Sequence, residues 1–212
     1  MVEAVNTILL VDDHPLLRKG VSQLLDLEDG LRVIGEASNG VDAVTMAREL
    51  DPDLILLDLS MRGMDGIETL SAMRDAGIAS HIVVFTVSDD RSDVISALKS
   101  GADGYLLKDV EPEELVSSIR QACSGKMVLS EQLTEVLASS FRAGEQQKDL
   151  TELTRRELQI LKYIAEGLSN KLIGRRLDIA ESTVKVHVKH LLKKLGFRSR
   201  VEAAVWMVDQ QK

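Results

Sequence analysis

Cysteine, long apolar runs and a basic leader segment are almost or entirely missing from this 212-residue chain. Its single cysteine, Cys123, excludes an internal disulfide bond and fits a reducing compartment. No apolar run approaches the roughly 18 residues of a membrane-spanning helix, and the first residues carry Glu3 without a basic cluster, so neither a membrane segment nor a secretory signal is expected. With 44% hydrophobic residues, these absences predict a globular cytoplasmic protein without a membrane partner.

The net charge of −8 is divided unevenly along the chain. Residues 1–150 contain 13 Lys and Arg against 27 Asp and Glu, a net charge of −14. Residues 151–212 contain 13 against 7, a net charge of +6. A basic segment joined to an acidic one is typical of a nucleic-acid-binding module attached to another domain. We therefore predict two domains that attract each other.

The acidic part alternates strand-like with helix-like segments. Five apolar runs have the length of buried strands, and they lie at Ile8–Val11, Val33–Ala37, Leu54–Leu57, Ile82–Phe85 and Tyr105–Leu107. The segments between them have helical spacing, and Pro112 is placed in the first turn of a further helix. This alternation predicts an α/β domain over residues 1–126, a doubly wound five-stranded parallel sheet with helices on both faces.

The rest of the chain has no strand-like run. Residues 127–150 predict a linker that contains one helix, over Ser130–Phe141. Thr154 and Glu157 have the spacing of a capping box at the start of the first of four short helices. Four helices within residues 151–212 predict an all-α helix-turn-helix domain.

Acidic, hydroxyl and basic side chains stand where four of the predicted strands end, and these are Asp12, Asp13, Asp58, Thr86 and Lys108. In a doubly wound sheet such strand ends meet at the ligand-binding edge. Three clustered carboxylates repel one another and require a cation, and oxygen ligands with room for water favour Mg²⁺ over zinc or copper. With the metal bound, a carboxylate can attack phosphorus and form an aspartyl phosphate. Lys108 would neutralise charge on the phosphoryl oxygens, and Thr86 would donate a hydrogen bond to them.

These segments resemble the receiver domain of bacterial response regulators, a flavodoxin-like fold. The resemblance covers residues 6–126 and rests on Val11–Pro15, Leu57–Asp58, Met64–Gly66, Val84–Thr86 and Gly104–Lys108. It implies that Asp58 is the phosphoacceptor. It also implies that Asp13, Asp58 and the backbone carbonyl of Ser60 bind Mg²⁺, with Asp12 acting through water.

The same resemblance implies that Thr86 and Tyr105 move when the phosphoryl group binds. Two positions depart from the usual pattern, because receivers commonly have proline where this chain has Arg62 and Asp109. Neither change removes a residue that the chemistry needs. Without proline, a cis peptide bond before Asp109 would cost about 2.5–4 kcal/mol, so none is assumed.

A basic helix is predicted over Glu181–Leu195. At 100° per residue, its apolar side chains form one stripe, and Ser182, Lys185, Lys189 and Lys193 lie opposite. Val186 also lies on the polar face, where a valine could pack against a thymine methyl group while the lysines reach guanine edges or phosphates. A merely solvated lysine face is the alternative, which the preceding short helix and turn make less favourable.

Residues 151–212 resemble the LuxR/FixJ-type DNA-binding domain, most clearly at 153–157, 166–171 and 181–187. The resemblance implies base reading by Lys185, Val186 and Lys189. The residues expected on the DNA backbone are Ser182, Thr183, Lys171, Lys193 and Arg200. Residues 35–40, 182–190 and 199–206 carry a closer resemblance, by which the whole chain is similar to the NarL/NarP group of nitrate–nitrite response regulators. That group implies a sensor histidine kinase, a phosphorylated homodimer on inverted repeats of double-stranded DNA, and RNA polymerase as partners.

Three other functions are considered. An aspartyl-phosphate phosphatase needs a second acid two residues after the nucleophile, where this chain has Ser60. A receiver-like interaction module would not need the intact set of acids, threonine and lysine. A regulator could also bind DNA independently of phosphorylation. The opposite charges of the two parts favour a gated regulator, in which the unphosphorylated receiver covers the face that carries Lys185 and Lys193.

Overall fold

The computed structural model describes residues 5–129 and 150–209, which we call the sheet domain and the helical domain. The helix predicted over Ser130–Phe141 lies outside the described residues. In the sheet domain, strands and helices alternate, with bounds β1 Asn6–Val11, α1 Pro15–Asp26, β2 Leu31–Ala37, α2 Gly40–Leu50, β3 Leu54–Leu57, α3 Gly66–Asp75, β4 His81–Thr86, α4 Arg91–Ser100, β5 Gly104–Leu107, α5 Pro112–Cys123 and β6 Val128–Leu129.

The strands form one parallel sheet with the order β2-β1-β3-β4-β5-β6. The five predicted strands and the doubly wound α/β class are confirmed. A two-residue edge strand, β6, adds to them and pairs with β5 at Gly104 and Tyr105. Pro112 opens α5, as its fixed backbone geometry predicts.

Side-chain alternation along β3 explains why this strand has no polar residue. Leu54 and Leu56 pack into one apolar cluster beneath α1 and α5, whereas Ile55 and Leu57 pack into a second cluster on the opposite face of the sheet. A strand covered on both faces requires apolar residues at every position. The residue that follows, Asp58, is only 1% exposed.

The helical domain consists of a 3-10 turn at Leu150–Glu152 followed by four helices, α6 Arg155–Ala165, α7 Asn170–Leu177, α8 Glu181–Leu195 and α9 Arg200–Asp209. Thr154 and Glu157 form the predicted capping box. The buried stripe of α8, with Val184, Val188 and Leu191, packs in an apolar core separate from those of the sheet domain. The predicted four-helix class is confirmed.

Across the two described ranges, no helix combines the length and the apolar character that crossing a bilayer requires.

Candidate functional sites

Three of the predicted acids meet at the carboxyl edge of the sheet, where β1 and β3 end. The amide of Asp58 donates to the Val11 carbonyl at 2.9 Å, which fixes the two strand ends side by side. Oxygen and nitrogen atoms of Asp12, Asp13, His14 and Asp58 all lie within 4.8 Å of one another. The structure therefore brings together the acids that the sequence separates by 45 residues or more.

Lys108 reaches this cluster from the end of β5. Its Nζ lies 2.8 Å from Asp12 Oδ2 and 2.8 Å from Asp58 Oδ2, and its amide donates to the Thr86 carbonyl at 2.9 Å. Asp58 Oδ1 is buried without a hydrogen-bond partner among the described residues. Because buried carboxylate oxygens are normally satisfied, this atom and its acidic neighbours fit a bound divalent cation of the oxygen-preferring kind.

Two side chains support the loop after β1, and neither received a role from the sequence pattern. His14 Nδ1 lies 3.0 Å from Asp13 Oδ1 and 3.3 Å from Asp12 Oδ1, with the His14 side chain 68% exposed. Arg18 Nη1 donates to the Asp12 carbonyl at 2.6 Å, and Arg18 Nε contacts Glu36 at 3.1 Å. Arg18 therefore positions the backbone from which the acids project.

Thr86 and Tyr105 both connect to Ser88, in the loop that follows β4. Thr86 is fully buried, and its Oγ1 accepts from the Ser88 amide at 3.4 Å. The Tyr105 hydroxyl donates to the Ser88 carbonyl at 2.8 Å. Burial raises the pKa of Tyr105 to about 12, so the phenol stays protonated and remains a donor.

The two departures from the common receiver pattern, at Arg62 and Asp109, have different effects on the structure. The Arg62 amide donates to Asp13 Oδ2 at 3.2 Å, a bond that a proline could not make because it lacks an N–H. The peptide bond before Asp109 is trans. Ser60 is exposed in the loop after Asp58.

The predicted DNA-reading helix, α8, lies against the other edge of the sheet, where strands begin. Lys185 Nζ is 3.2 Å from Asp53 Oδ1 and 3.3 Å from Asp51 Oδ2. It also donates to the Asp51 carbonyl at 3.1 Å. Burial opposes the charge on this ammonium, but Asp53 and Asp51 raise the pKa of Lys185 above its ordinary value. The lysine therefore stays charged and is only 16% exposed.

Other contacts extend this interface, which we call the closed arrangement. A Cβ at Gly77 would lie 2.6 Å from Lys189 Cε, so Lys189 packs directly over that glycine. A Cβ at Gly101 would lie 2.9 Å from the Arg198 carbonyl oxygen. Lys185 and Lys189 thus contact the sheet domain, although Lys189 remains exposed, and the third predicted base-reading residue, Val186, is 51% exposed.

The residues predicted to contact the DNA backbone also differ in their exposure. Ser182, Thr183 and Lys193 are exposed, and Lys171 is half-buried. Arg200 is only 5% exposed, because the sheet domain covers it. It is therefore not accessible to DNA in the closed arrangement.

Arg74 organises the loops on which the helical domain rests. Its guanidinium donates to the carbonyls of Gly101, Ile78 and Ser80, each at 2.9 Å. It also pairs with Asp103 at 2.6 Å, and both side chains are buried. The sequence contains no pattern that marks Arg74, Asp51 or Asp53, because each looks like an ordinary surface charge.

Comparison with known proteins agrees with this geometry. Residues 8–120 match the response regulator receiver domain, and residues 151–207 match the bacterial regulatory proteins of the luxR family. Nitrate/nitrite response regulator protein NarL of Escherichia coli K12 is 60% identical over 207 residues, 97% of this chain and 96% of that protein. NarP of the same strain is 47% identical over 204 residues, covering 96% and 95%. The solved structure of ChrA, a response regulator of a heme-sensing two-component system, is 31% identical with a TM-score of 0.53, covering 98% of each chain.

Proposed function

This chain belongs to the bacterial response regulators that join a receiver domain to a LuxR-type DNA-binding domain, and we propose that phosphorylation of Asp58 switches its DNA binding on. In the unphosphorylated protein, the closed arrangement withholds α8 from DNA. Phosphorylation favours separation of the domains and pairing of two helical domains on an inverted repeat. The observation that carries this proposal is the ion pairing of Lys185, a predicted base-reading residue, with Asp51 and Asp53.

The carboxyl edge has the parts that phosphoryl transfer to an aspartate needs. Asp58 is the phosphoacceptor, and Lys108 neutralises charge on the incoming phosphoryl group. Mg²⁺, held by Asp13, Asp58 and the Ser60 carbonyl, with Asp12 acting through water, would supply further neutralisation. The only chemistry proposed for this chain is transfer to its own Asp58 and hydrolysis from it.

The effect of the phosphoryl group would be transmitted to the closed arrangement through the sheet. The Thr86 hydroxyl donates a hydrogen bond to the new phosphoryl oxygen, and Tyr105 moves with the loop that holds Ser88. Asp53 and Asp58 flank the four residues of β3, so the two sites lie about 17 Å apart at roughly 3.3 Å per strand residue. Because β3 is fully buried and rigid, a shift at one end of this strand would be transmitted to its other end.

The partners follow from the relatives. The 60% identity to the nitrate/nitrite response regulator NarL supports a sensor histidine kinase as phosphodonor and nitrate or nitrite as the signal. We propose that the side chains of Lys185, Val186 and Lys189 contact DNA bases. Backbone contacts are proposed at Ser182, Thr183, Lys171, Lys193 and Arg200. RNA polymerase in the cytoplasm is the proposed final partner.

A direct test measures DNA affinity of the full-length protein by fluorescence anisotropy, with and without Mg²⁺ plus beryllofluoride. We expect affinity to rise by about tenfold or more, as it would if fewer than one molecule in ten is open beforehand. The matched control is Asp58→Ala, which should not respond. An unchanged wild-type affinity would favour phosphorylation-independent DNA binding. Turnover of a small phosphate ester would instead favour a phosphatase.

A further inference from the structure

A histidine and an arginine meet without an acid between them inside the closed arrangement. His81, the first residue of β4, is 6% exposed, and Arg200, the first residue of α9, is 5% exposed. Arg200 Nη1 lies 3.2 Å from His81 Nε2. This buried contact joins the sheet domain directly to the helical domain.

The chemistry of the two groups determines the protonation state of the histidine. A guanidinium has N–H donors only and no acceptor, so His81 Nε2 must supply the lone pair. The imidazole is therefore neutral and carries its proton on Nδ1. A second proton on Nε2 would remove the acceptor and place two cations 3.2 Å apart in a buried site.

The remaining contacts of Arg200 keep it in place. Nη1 also donates to Asn170 Oδ1 at 3.2 Å, and Nη2 donates to the Leu168 carbonyl. Both partners belong to the helical domain, so the guanidinium is held there whether or not His81 is present. The pair at His81 is the part of this network that depends on closure.

Charged groups on four neighbouring segments act on His81. Arg74 from α3 and Arg200 from α9 disfavour the imidazolium, while Asp103 before β5 and Asp53 before β3 favour it. Asp103 is already engaged by Arg74 at 2.6 Å, and Asp53 by Thr7 and Lys185. Burial and Arg200 prevail, and they lower the pKa of His81 to about 3. Burial lowers the pKa of Arg200 to about 10, so it remains a cation at neutral pH.

We propose that the closed arrangement is also a proton-sensitive contact, which opens on acidification because a protonated His81 can neither accept from Arg200 nor remain beside it. This opening does not require phosphorylation of Asp58 or the presence of DNA. It would add acidity, as a second signal, to the one delivered through the phosphoacceptor.

The sign follows from linkage between protonation and closure. When the domains separate, His81 loses the contact with Arg200, and its pKa returns toward the ordinary value of about 6.5. The closed arrangement lowers that pKa, so its stabilisation by His81 is complete above about pH 6.5 and is lost as the pH falls. The ratio of open to closed molecules should therefore rise about tenfold between pH 7.5 and pH 5.5.

One other titrating group opposes the effect. Burial, followed by Asp53, raises the pKa of Glu181 in the closed arrangement. Proton uptake by Glu181 therefore favours closure; this contribution is complete below the ordinary glutamate value of about 4.5 and is lost as the pH rises through the raised pKa. The variant His81→Gln, which keeps Glu181, separates the contributions of the two groups.

The test is single-molecule energy transfer on the full-length, unphosphorylated protein. Dyes are attached at Val41→Cys and Leu172→Cys, since both side chains are exposed, 65% and 43%, in the closed arrangement. Cys123 is buried with its thiol pKa raised by burial to about 12, and Cys123→Ala removes it from the labelling reaction. Counting open and closed molecules at pH 7.5 and 5.5 gives the ratio without reference to DNA affinity.

The matched variant is His81→Gln, whose side-chain carbonyl accepts from Arg200 at any pH. We expect the tenfold change in the wild type, its loss in H81Q, and its retention in His190→Gln, which changes an exposed histidine of α8. Thermal melts confirm that each variant folds. The proposal is overturned if the wild-type ratio does not change with pH, or if H81Q keeps the full change.

Discussion

His81 and Thr86 are the first and last residues of the same strand, β4. The side chain that contacts Arg200 and the hydroxyl beside the phosphoacceptor site are therefore joined by one element whose six residues are all buried. Asp53 and Asp58 similarly lie just before and just after β3. The contacts between the two domains and the acid cluster proposed for phosphorylation therefore lie at opposite ends of the same strands.

Removing the charge of Asp51 should weaken the closed arrangement. Asp51 has a left-handed backbone with φ of 43°, which asparagine tolerates, so Asp51→Asn changes little except the ion pair with Lys185. The Asp51 side chain is 64% exposed, and pairs of that kind contribute roughly 0.2–1 kcal/mol. Anisotropy should show a gain of about 1.4-fold to fivefold in DNA affinity of the unphosphorylated protein. The same change at Asp29, an exposed acid in another loop, is the control and should give no gain.

Residues 151–212 alone should bind DNA more tightly than the unphosphorylated full-length protein. This segment has its own apolar core, so it is expected to fold without the sheet domain. The affinity of the full-length protein divided by that of the segment equals the fraction of full-length molecules that are open. The segment would therefore bind about tenfold more tightly if one molecule in ten is open. Both proteins are titrated at the same salt concentration, because DNA affinity depends steeply on salt. Equal affinities would contradict the inhibitory role of the closed arrangement.

A methyl group at Gly101 should push the helical domain away. Its Cβ would meet the Arg198 carbonyl oxygen at 2.9 Å, and overpacking of this kind costs about 1–3 kcal/mol. Gly101→Ala should therefore raise DNA affinity of the unphosphorylated protein by roughly fivefold or more. Gly30→Ala is the control, since Gly30 has a similar positive φ but its nearest neighbour would be 3.9 Å away. A similar gain in both variants would assign the effect to backbone strain alone.

Glu157 should stabilise the helical domain in a pH-dependent way. Burial opposes its charge, but hydrogen bonds from Lys194 and Thr154 lower the pKa of Glu157. Its stabilisation is present above the ordinary glutamate value of about 4.5 and is lost as the pH falls. Glu157→Gln should cost about 1.5–3 kcal/mol at pH 7 and less at acidic pH.

Trp206 is the single tryptophan of the chain and packs against Phe197, so its fluorescence reports unfolding of the helical domain. Thermal melts at pH 7 and at about pH 3, well below the ordinary glutamate value, give the two values. Glu166→Gln breaks only an exposed pair with Arg176, and it should leave the melting temperature nearly unchanged. A loss in E157Q that is the same at both pH values would speak against the charge of Glu157 as its cause.

The hydroxyl of Thr86 should couple phosphorylation to DNA binding. Thr86→Val keeps the shape of a fully buried side chain but removes the donor to the phosphoryl group. Acetyl phosphate should still modify Asp58 on a phospho-protein gel, while the gain in DNA affinity falls by about fivefold, the equivalent of one hydrogen bond of about 1 kcal/mol. The same replacement at Thr45, on the exposed face of α2, should keep the full gain. An intact gain in T86V would assign the coupling to other residues.

Local and periodic features of the sequence were sufficient for most of the fold. The apolar run at Leu54–Leu57, Pro112 at a first helical turn and the Thr154 capping box each depend on residues a few positions apart. The edge strand at Val128–Leu129 was missed, because two residues are too few for any periodicity. Acids at strand ends predict the phosphorylation site, because parallel strands must end at a common edge.

Composition, spacing and helical geometry were sufficient to predict the two domains, the acid cluster and the basic face of α8. The sequence also predicted that opposite charges attract, but Coulomb attraction has no direction and could not identify the contacts. The contact of Lys185 with Asp51, 134 positions earlier in the chain, is visible only in the folded protein. The same is true of the contact between His81 and Arg200, which are 119 positions apart. Such pairings depend on how two packed surfaces fit together, which no local pattern of residues records.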